Sequence, residues 1–354
     1  MDNDTSVFRL GELYCGPGGL ACGAHDAHSS DGRLSIVHAW ANDYDEDTCE
    51  TYRHNICPDH PESIICGDVR ELNIPSLAPI DAFAYGFPCN SFSNVGKHQG
   101  LDNEKFGQLY WYGIVVLRTF HPQWFLAENV SGIKSAGDGK HFEIILQDME
   151  DSGYTLVTNM YHFEQYGVPQ MRHRVIVVGI RNDLAKQGIT YRVPDPALYK
   201  DIDISARTAR SGIPSDAPNN EKRSLSDTVV KRLSYIKPGQ NVWQADMPDE
   251  LRIKTRTKIS QIYRKLDPDK PSYTITAAGG GGTFGYHWTN RELTNRERAR
   301  IQTFPDNYEF IGKYASVRKQ IGMAVPPKGA EVIFNAILNT FAGIPYPYVK
   351  ASLS

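Results

Sequence analysis

A cysteine and a glutamate each follow a short apolar run of the sequence. Cys89 comes directly after Pro88, shortly beyond the run 82–85, and leads into a loop rich in Ser, Asn and Gly. Glu128 follows the next such run, 124–127. A thiol exposed to a cleft beside a carboxylate is suited to nucleophilic catalysis. A lone cysteine equally fits a small buried hydrophobic residue, so these residues alone leave both interpretations open.

A glycine cluster at 15–19 follows the first apolar run, 10–14. Glycine at such a turn lets the backbone approach a ligand at a helix N-terminus, as dinucleotide and adenosyl binders require. The full Gly-x-Gly-x-x-Gly spacing is missing, so a plain tight turn remains the alternative. Asp43, Tyr44 and Asp68 follow the second and third runs, where a carboxylate can hold a ribose diol. Together the three strand ends indicate a pocket for an adenosine-type ligand.

These groups need a scaffold that brings strand ends together, and residues 1–181 alternate strand and helix signals. This alternation predicts an α/β fold with a mostly parallel sheet, whose ligands bind at the carboxyl ends of the strands. Strands are predicted over 10–14, 35–39, 64–66, 82–85, 124–127 and 175–180, and helices over 20–27, 106–120, 142–152, 294–302 and 329–341. From about 182 to 282 the alternation gives way to a stretch rich in Pro, Ser and charge, which predicts an inserted second domain.

Charge is distributed unevenly along the 354 residues. Residues 1–100 carry 15 Asp and Glu against 5 Lys and Arg, whereas residues 200–270 carry 15 Lys and Arg against 10 Asp and Glu. The basic middle segment favours a polyanionic partner, although solvated faces of different sign explain the charges as well. If 251–259 forms a strand, its cluster of Lys and Arg lies on one side of that strand.

Several classes of function are disfavoured by composition and motif. All six cysteines lie before residue 90 without zinc-site spacing, and neither His-Glu-x-x-His nor a Walker phosphate loop occurs. We therefore expect reduced thiols, no metal and no nucleoside triphosphate chemistry. No run of about 18 uncharged apolar residues is present and the N-terminus is acidic, which predicts a cytoplasmic protein without membrane contact.

Six motifs follow one another along nearly the whole chain. They are Tyr14-Cys15-Gly16-Pro17-Gly18-Gly19, Gly86-Phe87-Pro88-Cys89, Glu128-Asn129-Val130, Gln170-x-Arg172-x-Arg174, Arg291-Glu292-Leu293-Thr294 with Gln302-Thr303-Phe304-Pro305-Asp306, and Gly322-Met323-Ala324-Val325-Pro326-Pro327. In this order and spacing they resemble the motifs of the DNA cytosine-5 methyltransferases. The resemblance implies a Rossmann-like catalytic and S-adenosylmethionine-binding domain over 1–182 and 290–354, with a target recognition domain over 183–289.

The resemblance also implies a bacterial restriction-modification enzyme that methylates cytosine C5 within a short duplex sequence. Position 5 of cytosine is unactivated, so a nucleophile must add transiently at C6. The implied catalytic residues are Cys89 as that nucleophile, Glu128 at N3 and the exocyclic amine, Arg174 as a positioning group, and Arg172, which fixes the backbone nearby. The cytosine must be flipped out of the duplex, and the loop after Cys89 is expected to close over it.

The implied methyl donor is S-adenosyl-L-methionine, which leaves as S-adenosyl-L-homocysteine, without a metal. Tyr14 and Tyr44 are expected near the adenine, Asp43 at the ribose and Asp68 near the adenine amine. The full expected set is Tyr14, Gly16, Gly18, Gly19, Asp43, Tyr44, Asp68, Pro88, Leu109, Met323 and Val325. Met323 stands where the family usually has Asn, so an amide near the cofactor is missing.

Double-stranded DNA is the implied partner of a monomeric, nucleoid-associated protein, and a cognate restriction endonuclease is an expected companion. Lys and Arg of the middle domain are expected to contact phosphates while other side chains read base edges. The expected DNA contacts are Asn90, Ser93, Arg252, Lys254 and Arg256. Asn90 stands where the family usually has Gln, which is expected to alter loop contacts rather than the chemistry.

Three other interpretations remain. An RNA methyltransferase with the same fold and cysteine chemistry is the nearest, and the basic insert argues against it only weakly. A non-catalytic DNA-binding relative would not need Cys89, Glu128 and Arg174 together. A nicotinamide oxidoreductase shares the fold class but would not need Pro88-Cys89.

Overall fold

The computed structural model describes residues 6–88, 109–255, 257–277, 282–283 and 285–353, with the backbone alone at 135–138. Its strands are β1 (Ser6–Leu13), β2 (Leu34–Asp43), β3 (Ile64–Cys66), β4 (Ala82–Tyr85), β5 (Trp124–Val130), β6 (Tyr154–His162), β7 (Gln170–Met171), β8 (His173–Arg181), β9 (Val193–Pro194), β10 (Ser272–Tyr273) and β11 (Tyr348–Val349). Its α-helices are α1 (Gly19–Asp26), α2 (Glu46–Ile56), α3 (Leu109–Phe120), α4 (Lys140–Asp151), α5 (Asn182–Lys186), α6 (Ala206–Ala209), α7 (Asp227–Ser234), α8 (Asn295–Ile301), α9 (Tyr314–Met323) and α10 (Pro327–Ala342). Within these residues, no helix combines the length and the apolar character that crossing a membrane requires.

Seven strands form one sheet in the order β3-β2-β1-β4-β5-β8-β6. The strands β3, β2, β1, β4 and β5 run parallel to one another. The strand β8 is antiparallel to both β5 and β6. The strand order reverses between β1 and β4, and parallel strands place their carboxyl ends along one edge of the sheet. The predicted α/β fold with a mostly parallel sheet is confirmed, and the sheet also contains β6, which the sequence analysis did not predict.

Helices cover both faces of this sheet. On one face, α3 and α4 pack against buried side chains of the central strands, including Phe83 and Phe125. On the other face, α1 packs against α10. Their close approach depends on Gly23, because a Cβ there would lie 2.5 Å from the carbonyl oxygen of Pro327. The result is a three-layer α/β/α arrangement.

The chain divides into two compact units. The first comprises Met1–His162, His173–Leu198 and Pro327–Ser354, and the second comprises Phe163–Arg172 and Tyr199–Pro326. Residues 290–326, which the sequence analysis assigned to the catalytic domain, therefore pack within the second unit. The first unit contains the seven-stranded sheet, and the second contains the basic middle segment.

The second unit is held together by a small apolar core around Leu233 and by buried arginines. Arg296 of α8 donates hydrogen bonds to the carbonyl oxygens of Pro218 and Pro305, each at 2.8 Å. Little of this unit is regular secondary structure, so its buried carbonyl groups need partners other than a helix or a sheet. Buried guanidinium groups supply those partners.

Candidate active site

The glycine turn after β1 lies where the strand order of the sheet reverses. Tyr14, Gly16 and Gly18 have φ angles of 56°, 55° and 87°, and α1 begins at Gly19. Glycine adopts these left-handed angles without the strain that other residues experience. A Cβ at Gly16 would meet no atom within 4 Å, so the turn borders open space. A ligand can therefore approach the backbone closely here.

Asp43 joins this turn to the end of β2. Its Oδ2 accepts a hydrogen bond from the Gly16 amide at 3.0 Å, and its Oδ1 accepts one from the Asp45 amide at 3.1 Å. Burial raises the pKa of Asp43, and these amide hydrogen bonds oppose that rise. Tyr44, the next residue, is 68% exposed. The strand end thus presents a buried carboxylate beside an exposed aromatic ring.

The end of β3 is fastened to β2 by Asn42, which is buried. Its Nδ2 donates to the carbonyl oxygens of Ile65 and Gly67, at 2.8 and 3.0 Å. Asp68 follows and pairs with Arg70, whose guanidinium lowers the pKa of that carboxyl to about 2. These contacts are structural: by joining β2 to the end of β3, Asn42 fixes the positions of Asp43 and Asp68 relative to each other. Its side chain is not among those predicted from the sequence.

Tyr14 connects the turn to α3. Its hydroxyl donates to the carbonyl oxygen of Leu109 at 2.6 Å, and Leu109 is itself buried. The carboxylates of Asp43 and Asp68 lie close enough to Tyr14 to contribute to the raised pKa of its hydroxyl, which burial dominates. Four of the residues expected at the cofactor therefore lie around one edge of the sheet.

The ends of β4 and β5 hold the second part of the site. Glu128 Oε1 and Arg174 Nε lie 2.7 Å apart, and each side chain is 13% exposed. Gly86 makes room for the carboxylate, because a Cβ there would lie 3.1 Å from Glu128 Oε2. Arg174 also donates from Nη1 to the carbonyl oxygen of His173 at 2.7 Å. A mostly buried carboxylate with a fixed guanidinium partner can bind the polar edge of a planar base.

The chain that leads toward the predicted nucleophile is held by Asn129. Its Nδ2 donates to the carbonyl oxygen of Phe87 at 3.0 Å, and its Oδ1 accepts from the Val130 amide at 2.8 Å. Asn129 therefore connects β5 to the segment that ends in Pro88, which is partly buried. The predicted residues Cys89, Asn90, Ser93 and Arg256 lie outside the described part of the chain.

A buried carboxylate that was not predicted from the sequence lies three residues before the glycine cluster. Glu12 of β1 is 1% exposed, and the hydroxyl of Tyr52 donates to its Oε2 at 2.5 Å. The Tyr52 hydroxyl also lies 3.1 Å from His38 Nδ1. Within the described residues, Glu12 Oε1 has no hydrogen-bond partner. Burial raises the pKa of Glu12 to about 7.

In the second unit, Arg172 is buried and contacts backbone. It donates to the carbonyl oxygens of Ile275 at 3.1 Å, Gly322 at 3.0 Å and Met323 at 3.4 Å. The Met323 side chain is exposed and Val325 is buried. Arg172 thus fixes the backbone of the last sequence motif. The expected cofactor contacts of Met323 and Val325 remain predictions.

Arg252 and Lys254 lie on irregular chain. A short 3-10 turn, Asp249–Leu251, precedes them, and no strand is present over the described residues of 251–259. The prediction that Arg252 and Lys254 lie on one side of a strand required a strand over 251–259, and the described residues form none. Arg252 lies 3.0 Å from Asp249 and 3.5 Å from Asp246, between two carboxylates.

Comparison with known proteins identifies the family of this chain. The family model described as C-5 cytosine-specific DNA methylase matches residues 8–339. The chain belongs to that family. Among curated proteins, this methylase is 54% identical to the type II methyltransferase M.BbvI of Brevibacillus brevis, over 97% of this chain and 94% of that protein. It is 39% identical to the type II methyltransferase M.NgoFVII of Neisseria gonorrhoeae, over 97% and 89%.

Solved structures show the same fold. The S. pombe Dnmt2 methyltransferase aligns with a TM-score of 0.64 at 16% identity, over 95% of this chain and 100% of that one. The predicted Rossmann-like fold, the predicted family and the predicted DNA (cytosine-5-)-methyltransferase activity are confirmed. The family implies S-adenosylmethionine as methyl donor and DNA as substrate.

The residues at the sheet edge fit such a cofactor. Open space lies beyond Gly16 and Gly67, where a Cβ would meet nothing within 4 Å. Tyr44, which is exposed, directly follows β2, and Asp68 stands two residues after β3. An adenosine needs an aromatic or apolar contact for its base and acceptors for its amine and ribose. This edge offers both.

Proposed function

We propose that this methylase modifies C5 of one cytosine within a short, specific duplex sequence, after flipping that cytosine out of the helix. The observation that supports the proposal most is the pair formed by Glu128 and Arg174, 2.7 Å apart and largely buried. A base inside a duplex cannot reach buried groups, so flipping is required. The pair lies near the end of β5 and the start of β8, and Asn129 holds the segment that leads toward Cys89.

The proposed chemistry depends on three side chains. The thiolate of Cys89 adds to C6 while Glu128 delivers or shares a proton at N3, so that no negative charge accumulates on the ring. The resulting enamine carbon, C5, takes the methyl group that bound S-adenosylmethionine supplies. Water in the closed site takes the C5 proton, the Cys89 thiolate leaves C6, and N3 returns its proton to Glu128, which restores the aromatic ring. Arg174 keeps the Glu128 carboxylate in place throughout.

The cofactor-facing roles follow the sheet edge. We assign the adenine to the neighbourhood of Tyr44 and Asp68, and the ribose to Asp43, whose carboxylate is oriented by the Gly16 and Asp45 amides. The left-handed glycine turn leaves the room that the amino acid part requires. The second unit is proposed as the target recognition domain, and it is basic over 200–270.

A trapping experiment tests this function. Duplexes carrying 5-fluorocytosine at the target position are incubated with the protein and S-adenosylmethionine. After methyl transfer C5 bears fluorine instead of hydrogen, so no proton can be removed and the Cys89 thiolate cannot leave. We expect a complex that survives denaturation, with the DNA attached to the peptide that contains Cys89. The Cys89→Ala variant should bind DNA but form no such complex, while Cys57→Ala, which changes a thiol at the C-terminal end of α2, should form it normally.

The target is identified in the same preparation. Radiolabelled S-adenosylmethionine is supplied with pools of duplex DNA and of transfer RNA, and labelled material is sequenced after bisulfite treatment. Label at one recurring DNA sequence is expected, whereas label confined to RNA would overturn the proposal. A cognate endonuclease that cuts this sequence only when it is unmethylated is the proposed companion, since the relatives named above are type II methyltransferases.

A further inference from the structure

A basic pocket lies in the second unit beside the start of α8. Its volume is about 380 Å³. We call it the basic pocket, and its lining includes Arg210, Ser211, Asn220, Lys222, Arg291 and Glu297. Cavities that hold small ligand groups span about 300–1,000 Å³. Three of these side chains are cationic and one is anionic, so the lining carries a net charge of +2. The pocket therefore has the size and the charge for an anionic group.

The single carboxylate of the pocket is already saturated. Arg291 donates to both oxygens of Glu297 at 2.7 Å, and the Thr294 amide donates to Oε2 at 3.0 Å. Burial by itself would raise the pKa of Glu297, but Arg291 and Thr294 outweigh it and lower that pKa to about 2. Glu297 thus stays ionised and fixed in place. It orients Arg210 and Arg291, and the lining keeps its net charge of +2.

Arg210 is oriented by two contacts. Its guanidinium lies 4.7 Å from the ring centroid of Trp288, and its Nε and Nη2 each lie 2.9 Å from Glu297 Oε1. Reading a guanine in the major groove takes two parallel donors of one guanidinium edge. On Arg210 the Nε–Nη2 edge is occupied by Glu297. Within the described residues its Nη1 has no hydrogen-bond partner, so Arg210 keeps donors available for an anion while Glu297 holds its Nε side.

Lys222 supplies the second available charge. It is exposed, and it forms no ion pair with the described residues. An ammonium is a compact point charge without the planar fork that base reading uses. By contrast, Arg252 lies between Asp246 and Asp249 and would have to leave a carboxylate to reach DNA. The basic pocket is thus better prepared for an anion than Arg252 is.

We propose that the basic pocket binds a phosphate of the DNA backbone through Arg210 and Lys222, and so positions the duplex without reading its sequence. This inference rests on the proposed action on duplex DNA. Lys and Arg that contact phosphates release condensed counterions, so each contact contributes about 0.9 to the slope of log affinity against log salt concentration.

The test uses the full-length protein, a target duplex and a scrambled duplex. We expect Lys222→Ala to reduce the salt slope by about 0.9, which shrinks the affinity ratio between about 50 and about 200 mM salt by roughly 3.5-fold. The loss should be equal on both duplexes, and Lys222→Arg should restore it. Lys200→Ala, which removes an exposed lysine elsewhere in the second unit, is the matched control and should keep the parental slope.

A backbone scan locates the contact. Single neutral methylphosphonate linkages are placed along the target duplex, and one position should weaken binding of the parent protein but not of Lys222→Ala. A parental slope in both Lys222→Ala and Arg210→Gln, or a loss confined to the target duplex, would overturn the inference. If the parent protein fails to methylate any duplex, the proposed function itself fails. Normal methylation with parental slopes in both Lys222→Ala and Arg210→Gln would remove only the phosphate site.

Discussion

Replacing Glu12 by Gln should stabilise this methylase above neutral pH. The Glu12 carboxyl is 1% exposed, and burial raises its pKa from the ordinary value of 4.5 to about 7. Between those pH values the folded chain keeps a proton that the unfolded chain releases. The stability that the folded chain gains by keeping this proton is present in full below pH 4.5 and is lost as the pH rises through about 7.

The size of the effect follows from the same two values. A rise in pKa from 4.5 to about 7 corresponds to about 3 kcal/mol, at about 1.36 kcal/mol per pH unit. Gln has the shape of a protonated Glu. Its carbonyl can accept from Tyr52, and its amide replaces a carboxyl proton that has no better partner at Oε1. At about pH 8 the Glu12→Gln variant should therefore gain up to about 3 kcal/mol in free energy of unfolding.

Thermal unfolding measured at several pH values tests this. With about 2.1 cal/mol/K of unfolding entropy per residue and 354 residues, 3 kcal/mol corresponds to a rise in Tm of about 4 °C. The difference between variant and parent should vanish near pH 4.5 and grow toward pH 8. Glu71→Gln, which changes an exposed glutamate, is the control and should follow the parent. If the Tm curves of Glu12→Gln and the parent run parallel from about pH 5 to about pH 8, the assignment of a buried protonated carboxyl is wrong.

Three further predictions concern single contacts. Gly86→Ala brings a Cβ to 3.1 Å from Glu128 Oε2, so kcat should fall about tenfold or more with little change in Tm, and an unchanged kcat would contradict the need for space there. Arg174→Ala should lower kcat about 100-fold while KM for DNA changes little, and Arg174→Lys should recover part of that loss in steady-state kinetics. Gly322→Ala would place a Cβ 2.3 Å from the backbone of Thr276, so urea unfolding should show a loss of about 1–3 kcal/mol in the second unit, and a parental midpoint would refute it.

Local sequence patterns were enough to predict the strands that carry the site. The strands β3 and β4 are short apolar runs that match the predicted 64–66 and 82–85, so their identity does not depend on distant residues. The strand β1 extends beyond the predicted 10–14 at its N-terminal end, through polar residues such as Ser6 and Arg9, and β2 extends beyond the predicted 35–39 at both ends. The strand β6 mixes Thr and Asn with apolar residues without a clear alternation, and its pairing with β8 defines it. Glu12 was overlooked because a carboxylate in an apolar run looks like an interruption. Its partner Tyr52 lies 40 positions away and reaches it only in the fold.

The second unit was harder to predict for a physical reason. Most of its chain is neither helix nor sheet, so no periodicity marks it. Its shape depends on contacts such as those of Arg296 with Pro218 and Pro305, which join residues 78 and 9 positions apart. The carboxylate that orders the basic pocket, Glu297, is contacted by Arg210, which lies 87 positions earlier. Neither contact can be inferred from spacing.

The packing of α1 against α10 has a consequence for biosynthesis. Between the end of α1 at Asp26 and the start of α10 at Pro327 lie 300 residues, which take about 15–60 s to translate at about 5–20 residues per second. During that interval the side of α1 at Gly23 that α10 later covers has no native partner on the nascent chain. The second unit, in contrast, is complete once Pro326 has been made. The ribosome therefore finishes the module proposed to recognise DNA before the module that transfers the methyl group can close its core.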